Sequence, residues 1–166
     1  MTPSAENDAL RVAVRVATPA DAGNLVAGIV DLLRELSARP DREAPEGAVA
    51  AALHLIGDPR AGLVLVAEDT GKRLVGLVTA SYQTAIRTGG PYAQIQELYV
   101  RPEARSSHVG EMLVTRLVET ASTGVFEVGL PGERFDKADR TREFYLHRGF
   151  SPIGPRMRYV APEGRK

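Results

Sequence analysis

Hydrophobic and polar positions recur with regular periods along most of the 166-residue chain. Apolar and charged side chains alternate over residues 10–17, which predicts a half-buried strand. Residues 18–21, with the sequence TPAD, predict a capping box with Pro at the first helical position. Apolar residues then recur at helical spacing, so we expect a first helix that reaches about Ala38 and is ended by Pro40.

The middle of the chain predicts a short helix followed by three strands. The helix is expected from Pro45 to Ile56. A Gly-Gly-Pro break at residues 89–91 predicts a hairpin between the second and third strands. The three strands are predicted over residues 63–69, 74–84 and 92–100.

The last third of the chain alternates helices and strands. A strongly amphipathic helix is predicted to open within residues 105–110 and to stop near Gly124. A strand, a short helix closed by Gly149 and a final strand follow, at residues 125–130, 139–146 and 152–160. Hairpin strands followed by βαβ units predict an α/β (α+β) fold, with one mixed, mostly antiparallel sheet of about six strands and helices on both faces. We expect a single domain over residues 1–166, with flexible ends at 1–10 and 161–166.

Composition excludes several classes of function. The 21 basic and 21 acidic residues cancel, so no net field attracts nucleic acid or an anionic membrane, and neither is an expected partner. The chain has no cysteine, which excludes disulfides and thiolate chemistry, and its three histidines are too scattered to predict a metal site. No apolar run is long enough for a transmembrane helix, and residues 1–10 lack an apolar signal core, so a cytoplasmic location is expected.

Residues 95–110 carry the strongest chemical signal. A strand leads through a loop into a helix N-terminus, where the first backbone N–H groups have no partner within the helix and the helix dipole is positive. This arrangement favours a phosphate ligand. The loop lacks Gly-Lys-Ser/Thr, and no Gly-x-Gly-x-x-Gly follows a strand, so a nucleotide-binding enzyme of those classes is disfavoured.

Two segments together resemble the GNAT superfamily of acetyl-CoA-dependent N-acetyltransferases. Residues 98–114 are similar to the segment that contains the family's Arg/Gln-x-x-Gly-x-Gly/Ala loop. The three motif positions are occupied in this sequence by Arg105, His108 and Gly110. Residues 142–150, REFYLHRGF, are similar to its Phe-Tyr-x-x-x-Gly-Phe signature. The order of the predicted elements also agrees with this family.

The resemblance implies acetyl-CoA as the cofactor, with its pyrophosphate on the backbone N–H groups of residues 105–110. It also implies that the preceding strand binds the pantetheine arm through the main chain of Leu98 and Val100, with Tyr99 lining the tunnel. The full implied set of cofactor-binding residues is Leu98, Tyr99, Val100, Arg105, Ser106, Ser107, His108, Val109 and Gly110.

His108 departs from the family's loop, which has glycine at this position. Glycine tolerates positive φ and lets a phosphate approach the backbone closely. Histidine here predicts either weaker or displaced cofactor binding, or an imidazole that donates to the phosphate. The hydroxyls of Ser106 and Ser107 either donate to phosphate or cap the helix.

Acetyl transfer needs a proton donor for the departing thiolate and a means of deprotonating the amine. The resemblance places Tyr145 at the family's general-acid position, although the same motif also fits helix-end packing with Phe144 and Phe150 in the core. Glu97 is the candidate base, with Glu133 or a proton relayed by solvent as alternatives. The family's strand carries a bulge, so the direction of the Glu97 side chain is not predictable.

The expected function is N-acetyltransfer from acetyl-CoA to a primary amine of a small molecule, amino acid derivative or peptide by direct attack. The alternative is a non-catalytic module that binds acyl-CoA, for example as a sensor. Residues 31–50 and 82–92 are expected to frame the acceptor pocket, and family members suggest a homodimer through the last strands. Three charged residues of the first helix are expected to form a solvated face: Asp31, Glu35 and Arg39.

Overall fold

The computed structural model describes residues 11–132 and 138–154, which fall into two compact units divided between Val128 and Gly129. Some predictions therefore lie outside the described residues, namely those for the chain ends 1–10 and 161–166 and for Glu133. None of the helices in the described ranges is long and apolar enough to cross a membrane.

The first unit is built on one mixed sheet with the strand order β1-β2-β3-β4-β5. Each of the first four strands pairs antiparallel with the next, and β5 pairs parallel with β4. The strands are β1 (Val12–Val16), β2 (Gly62–Asp69), β3 (Leu74–Ala85), β4 (Gly90–Val100) and β5 (Phe126–Val128). The mostly antiparallel sheet is confirmed, with five strands in the described part of the chain where about six are predicted.

Helices cover both faces of this sheet. Leu77 of β3 is fully buried in a cluster with Leu25 and Tyr99, on the face covered by α1 and α2. Its neighbour Gly76 faces α3, because a Cβ at Gly76 would lie 2.9 Å from Cγ1 of Val109, so only glycine permits this close approach. The four helices are α1 (Ala22–Ser37), α2 (Ala48–Gly57), α3 (Val109–Thr120) and α4 (Ala138–Leu146).

A partly buried ion pair fixes the start of α1 against the sheet. Arg15 of β1 donates from Nη1 to Oδ2 of Asp21 over 2.8 Å and also donates to Glu68 of β2. The guanidinium lowers the pKa of the Asp21 carboxyl to about 2. Asp21 also accepts the backbone N–H of Thr18 over 2.7 Å, which confirms the predicted capping box, although the first turn is a short 3₁₀ helix rather than part of α1.

The segment before α3 differs from the predicted single helix. Residues Pro102–Ser107 form a 3₁₀ helix, and α3 begins only at Val109. His108 between them has φ +57°, a left-handed conformation that cannot continue a right-handed helix. The predicted start of the helix within residues 105–110 is therefore confirmed at Val109, and the 3₁₀ helix before it was not predicted.

The second unit contains α4 and its C-terminal cap. Gly149 has φ +84° and donates its N–H to the carbonyl of Leu146 over 3.1 Å, while Phe150 donates to the carbonyl of Tyr145 over 3.1 Å. These two bonds form a Schellman motif, which confirms the predicted glycine cap. Residues 152–154 form no strand, so the final strand predicted from Pro152 is wrong there, and its remainder lies outside the described residues.

Candidate functional site

A β-bulge in β4 determines which side chains face α1 and α2. Ile95 lies opposite Ala80, but Glu97 lies opposite Thr79, so Gln96 is an extra residue without a partner in β3. Residues two apart in a regular strand share a face, but here Glu97 lies on the face opposite to that of Ile95. Glu97 and Tyr99 therefore share the face covered by α1 and α2.

Thr79 holds the Glu97 carboxyl group in place. The Thr79 hydroxyl donates to Oε2 of Glu97 and accepts the backbone N–H of Glu97 over 3.2 Å. Burial raises the pKa of the Glu97 carboxyl, and the hydrogen bond from Thr79 opposes part of that rise. A half-buried carboxyl with a raised pKa is a stronger proton acceptor than an exposed one.

Glu97 lies on the floor of a cleft between α1 and α2. The cleft has a volume of about 320 Å³, and its sheet side is formed by Val64, Thr79 and Glu97. Residues 45–48, at the start of α2, form part of its rim. The structure thus brings the predicted base to a cavity that part of the predicted acceptor segment, residues 31–50, helps to frame.

The far end of β4 has an open edge. Within the described residues, β5 pairs with β4 only at residues 93–95, so the end of β4 has β3 on one side and no strand on the other. The N–H of Arg101 donates to Val75 of β3 over 2.9 Å. Main-chain groups alternate in direction along a strand, so those of Leu98 and Val100 point away from β3.

The N-terminus of α3 follows this open edge directly. The first helical bond of α3 runs from the N–H of Met112 to the carbonyl of His108 over 3.0 Å, so the N–H groups of Val109, Gly110 and Glu111 precede the helical ladder. The Val109 side chain is fully buried, so this residue offers a ligand only its backbone. Ser106 is exposed and Ser107 is half-buried in the preceding 3₁₀ helix.

His108 adopts the backbone conformation that glycine accommodates most easily. Its φ of +57° lies in the left-handed region, where histidine is more frequent than most other non-glycine residues. Its side chain is 80% exposed, and Nδ1 lies 3.3 Å from Oε2 of Glu111. The imidazole therefore contacts a side chain of the first turn of α3.

Arg105 is bound by groups of the protein. It donates from Nη2 to Oε1 of Glu35 over 2.6 Å and from Nε to the carbonyl of Val100 over 2.9 Å. Its guanidinium also lies 6.0 Å from the centre of the Tyr99 ring. Glu35 was expected on a solvated face, but its carboxylate pairs with Arg105. The other two charged residues of that face have partners nearby in the chain: Asp31 pairs with Arg34, and Arg39 lies near Asp41.

Tyr145 lies in the second unit, near the end of α4. Only 4% of it is exposed, and its ring meets those of Phe144 and Phe150 edge-on at 5.1 Å in each case. Burial raises the pKa of the Tyr145 phenol well above its ordinary value, so the group keeps its proton at neutral pH. The Tyr145 side chain thus packs against its aromatic neighbours and also carries a hydroxyl that is protonated at neutral pH.

Sequence reasoning missed two residues of this arrangement, Thr79 and Glu35. Thr79 is the polar residue in the buried and otherwise apolar first part of β3, residues 74–80, and this pattern was the available signal. Glu35 is 70 residues from Arg105 in the chain, and no local pattern connects them.

Comparison with known proteins was made by family and by structure. The model of the acetyltransferase (GNAT) family matches residues 29–150. The chain belongs to the GNAT family. No functionally curated protein matches this GNAT chain.

Solved structures agree with that assignment at the level of the fold. A predicted acetyltransferase with acetyl-CoA from Clostridium acetobutylicum is 13% identical, with a TM-score of 0.71 over 90% of this chain and 96% of that one. An aminoglycoside 6'-N-acetyltransferase from Acinetobacter baumannii is 17% identical, with a TM-score of 0.70 over 93% and 100%. A ribosomal-protein-alanine N-acetyltransferase from Brucella melitensis is 22% identical, with a TM-score of 0.60 over 93% and 100%. Their names span small-molecule and protein acceptors.

Proposed function

We propose that this protein transfers an acetyl group from acetyl-CoA to a primary amine bound in the cleft above Glu97. One observation carries the proposal: just after the bulge at Gln96, β4 carries a half-buried carboxyl with a raised pKa that lines a cleft, and the open end of the same strand leads to the N-terminus of α3. The strand β4 would thus contribute both to binding of the acetyl donor, at its open end, and to binding of the acceptor amine, through Glu97.

The described residues fit acetyl-CoA. The main-chain groups of Leu98 and the N–H of Val100 point to the open edge of β4, where a pantetheine arm would find hydrogen-bonding partners of the kind a strand offers. The Val100 carbonyl accepts a hydrogen bond from Arg105. The N–H groups ahead of the first helical bond of α3 would hold the pyrophosphate. The His108 ring is engaged with the carboxylate of Glu111, through a contact of 3.3 Å.

Arg105 would bind a cofactor phosphate by exchanging partners. A guanidinium forms forked hydrogen bonds with phosphate as readily as with a carboxylate. Binding of the cofactor would then release Glu35 from Arg105. Ser106 and Ser107, on the same 3₁₀ helix, would add hydroxyl donors.

Glu97 and Tyr145 would each transfer a different proton in this reaction. Acetyl-CoA supplies the thioester whose acetyl group is transferred. Glu97 accepts the proton that an ammonium must lose before its nitrogen can attack the acetyl carbon by direct transfer. By the family resemblance, Tyr145 would give its proton to the sulfur as the carbon–sulfur bond breaks. The new amide nitrogen would lose its second proton through water to the Tyr145 phenolate, so the net reaction releases only the proton held by Glu97.

The proposal is tested by measuring thiol release from acetyl-CoA with a panel of amines, together with calorimetric binding of acetyl-CoA to the same preparation. We expect saturable binding and amine-dependent thiol release. Binding without release for any amine would instead support a non-catalytic acyl-CoA-binding module. Absence of binding at millimolar acetyl-CoA would reject both functions.

A further inference from the structure

The cleft above Glu97 has almost entirely apolar walls. The α1 side presents branched aliphatic side chains, including Leu25, Ile29 and Leu33. The α2 side presents three alanines, Ala48, Ala51 and Ala52. The small alanines leave space that larger side chains would fill, and the facing aliphatic wall makes that space suitable for a hydrocarbon body.

Polar groups occur at only two levels of the cleft. Thr79 and Glu97 lie on the floor, and Glu46 lies at the exposed rim. Among the residues that the structure describes, the lining contains no basic residue and no amide side chain. The Thr79 hydroxyl already donates to Glu97, so the half-buried carboxyl of Glu97 is the anion below the rim of this described lining that a ligand cation would meet.

We propose that the acceptor is a primary monoamine with a compact apolar body, of the arylalkylamine or short alkylamine class. This inference rests on the proposed acetyl transfer, and it assigns the acceptor from the lining of the cleft. The ammonium binds Glu97 on the floor, and the hydrocarbon part lies between the aliphatic wall of α1 and the alanines of α2.

The physical reason is that a buried polar group needs a partner. One ammonium finds its counter-charge at Glu97, but further ammonium or hydroxyl groups between Ile29 and Ala52 would be desolvated without partners. A volume of about 320 Å³ is also at the small end of ligand sites. Polyhydroxylated polyamines such as aminoglycosides therefore fit this cleft poorly, although a neighbour in fold acts on one.

The test uses two matched substitutions in α2. Ala52 lines the cleft, whereas Ala50 is exposed on the same helix and does not line it. Calorimetry measures the binding of 2-phenylethylamine to the wild-type protein, to A52L and to A50L, and thiol release compares 2-phenylethylamine with kanamycin. We expect A52L to weaken 2-phenylethylamine binding by about tenfold or more, and A50L to leave it within about twofold of wild type.

The outcomes separate this inference from the proposed function. Binding of 2-phenylethylamine that A52L weakens, without thiol release, supports the ligand class and overturns acetyl transfer. Turnover of kanamycin in preference to 2-phenylethylamine supports acetyl transfer and overturns the ligand class. Equal effects of A52L and A50L, or no binding of 2-phenylethylamine at millimolar concentration, also overturn it.

Discussion

Arg105 donates a 2.6 Å hydrogen bond to Glu35, and this bond ties the loop ahead of α3 to α1. The guanidinium proposed to bind a cofactor phosphate is thus held by a carboxylate of a helix that also lines the acceptor cleft. Both side chains are partly exposed, so the pair is weak enough to exchange partners.

Replacing Glu35 with Gln should strengthen acetyl-CoA binding. The substitution removes the carboxylate that competes with phosphate for Arg105. We expect the Kd for acetyl-CoA to fall by roughly two- to fivefold, the scale of an exposed ion pair. Calorimetry at two salt concentrations measures the effect, and D31N, on the same helix but paired with Arg34, is the control. A higher Kd for acetyl-CoA in E35Q than in wild type would contradict phosphate binding by Arg105.

Replacing Glu97 with Gln should remove the rising limb of the profile of kcat/KM against pH. Burial raises the pKa of Glu97, and only the ionised form accepts a proton, so wild-type kcat/KM should rise with pH through this raised pKa. E97Q should lose that limb and about 10²-fold or more in kcat. A retained limb in E97Q would assign the titration to another group.

Removing the Thr79 hydroxyl should move the same limb to higher pH. The Thr79 bond lowers the pKa of Glu97 against the effect of burial, so T79V raises that pKa further. T79S keeps the hydroxyl and serves as the matched control. A limb at the same pH in T79V and T79S would mean that Glu97 does not set it.

Replacing Tyr145 with Phe should separate its two possible roles. The phenol keeps its proton, and Phe retains the ring that packs between Phe144 and Phe150. We therefore expect an unchanged melting temperature and acetyl-CoA Kd, with kcat lower by about 10²-fold. Unchanged turnover would leave Tyr145 with a packing role alone.

Substitutions at His108 should test backbone strain and ligand binding separately. The left-handed φ of +57° costs an L-residue about 1–2 kcal/mol that glycine avoids, and it disfavours β-branched residues more than histidine. H108G should therefore raise the free energy of unfolding relative to wild type, and H108V should lower it. Denaturant unfolding measures this difference. Because the ring lies beside Glu111, H108G should bind acetyl-CoA at least as tightly as wild type. A clear loss of affinity in H108G would show that the imidazole helps to bind the cofactor.

The helices and strands were largely predictable because each carries its own period or cap. The alternation that predicts β1 and the glycine that ends α4 are local features of neighbouring residues. The direction of Glu97 was not predictable, because it depends on how β4 pairs with β3. The same limit applies to Arg105 and Glu35, which meet only after the sheet and α1 have packed.

The conformation of His108 was likewise set beyond its immediate sequence. Its position in a loop normally built with glycine indicated a backbone problem, and the left-handed φ is the solution that the fold adopts. The 3₁₀ helix from Pro102 to Ser107 was missed because Arg101-Pro102 indicates a turn and the residues that follow it carry no helical period of their own.

The bulge at Gln96 makes the length of the chain, as well as the identity of its residues, a determinant of the chemistry. Deleting Gln96 would keep Glu97 opposite Thr79 but would straighten the strand, because a bulge bends and twists the strand that carries it. The position of the acidic group and the bend of β4 are therefore set by different features of the sequence. A one-codon deletion could remove the bend while every residue that lines the cleft remained intact.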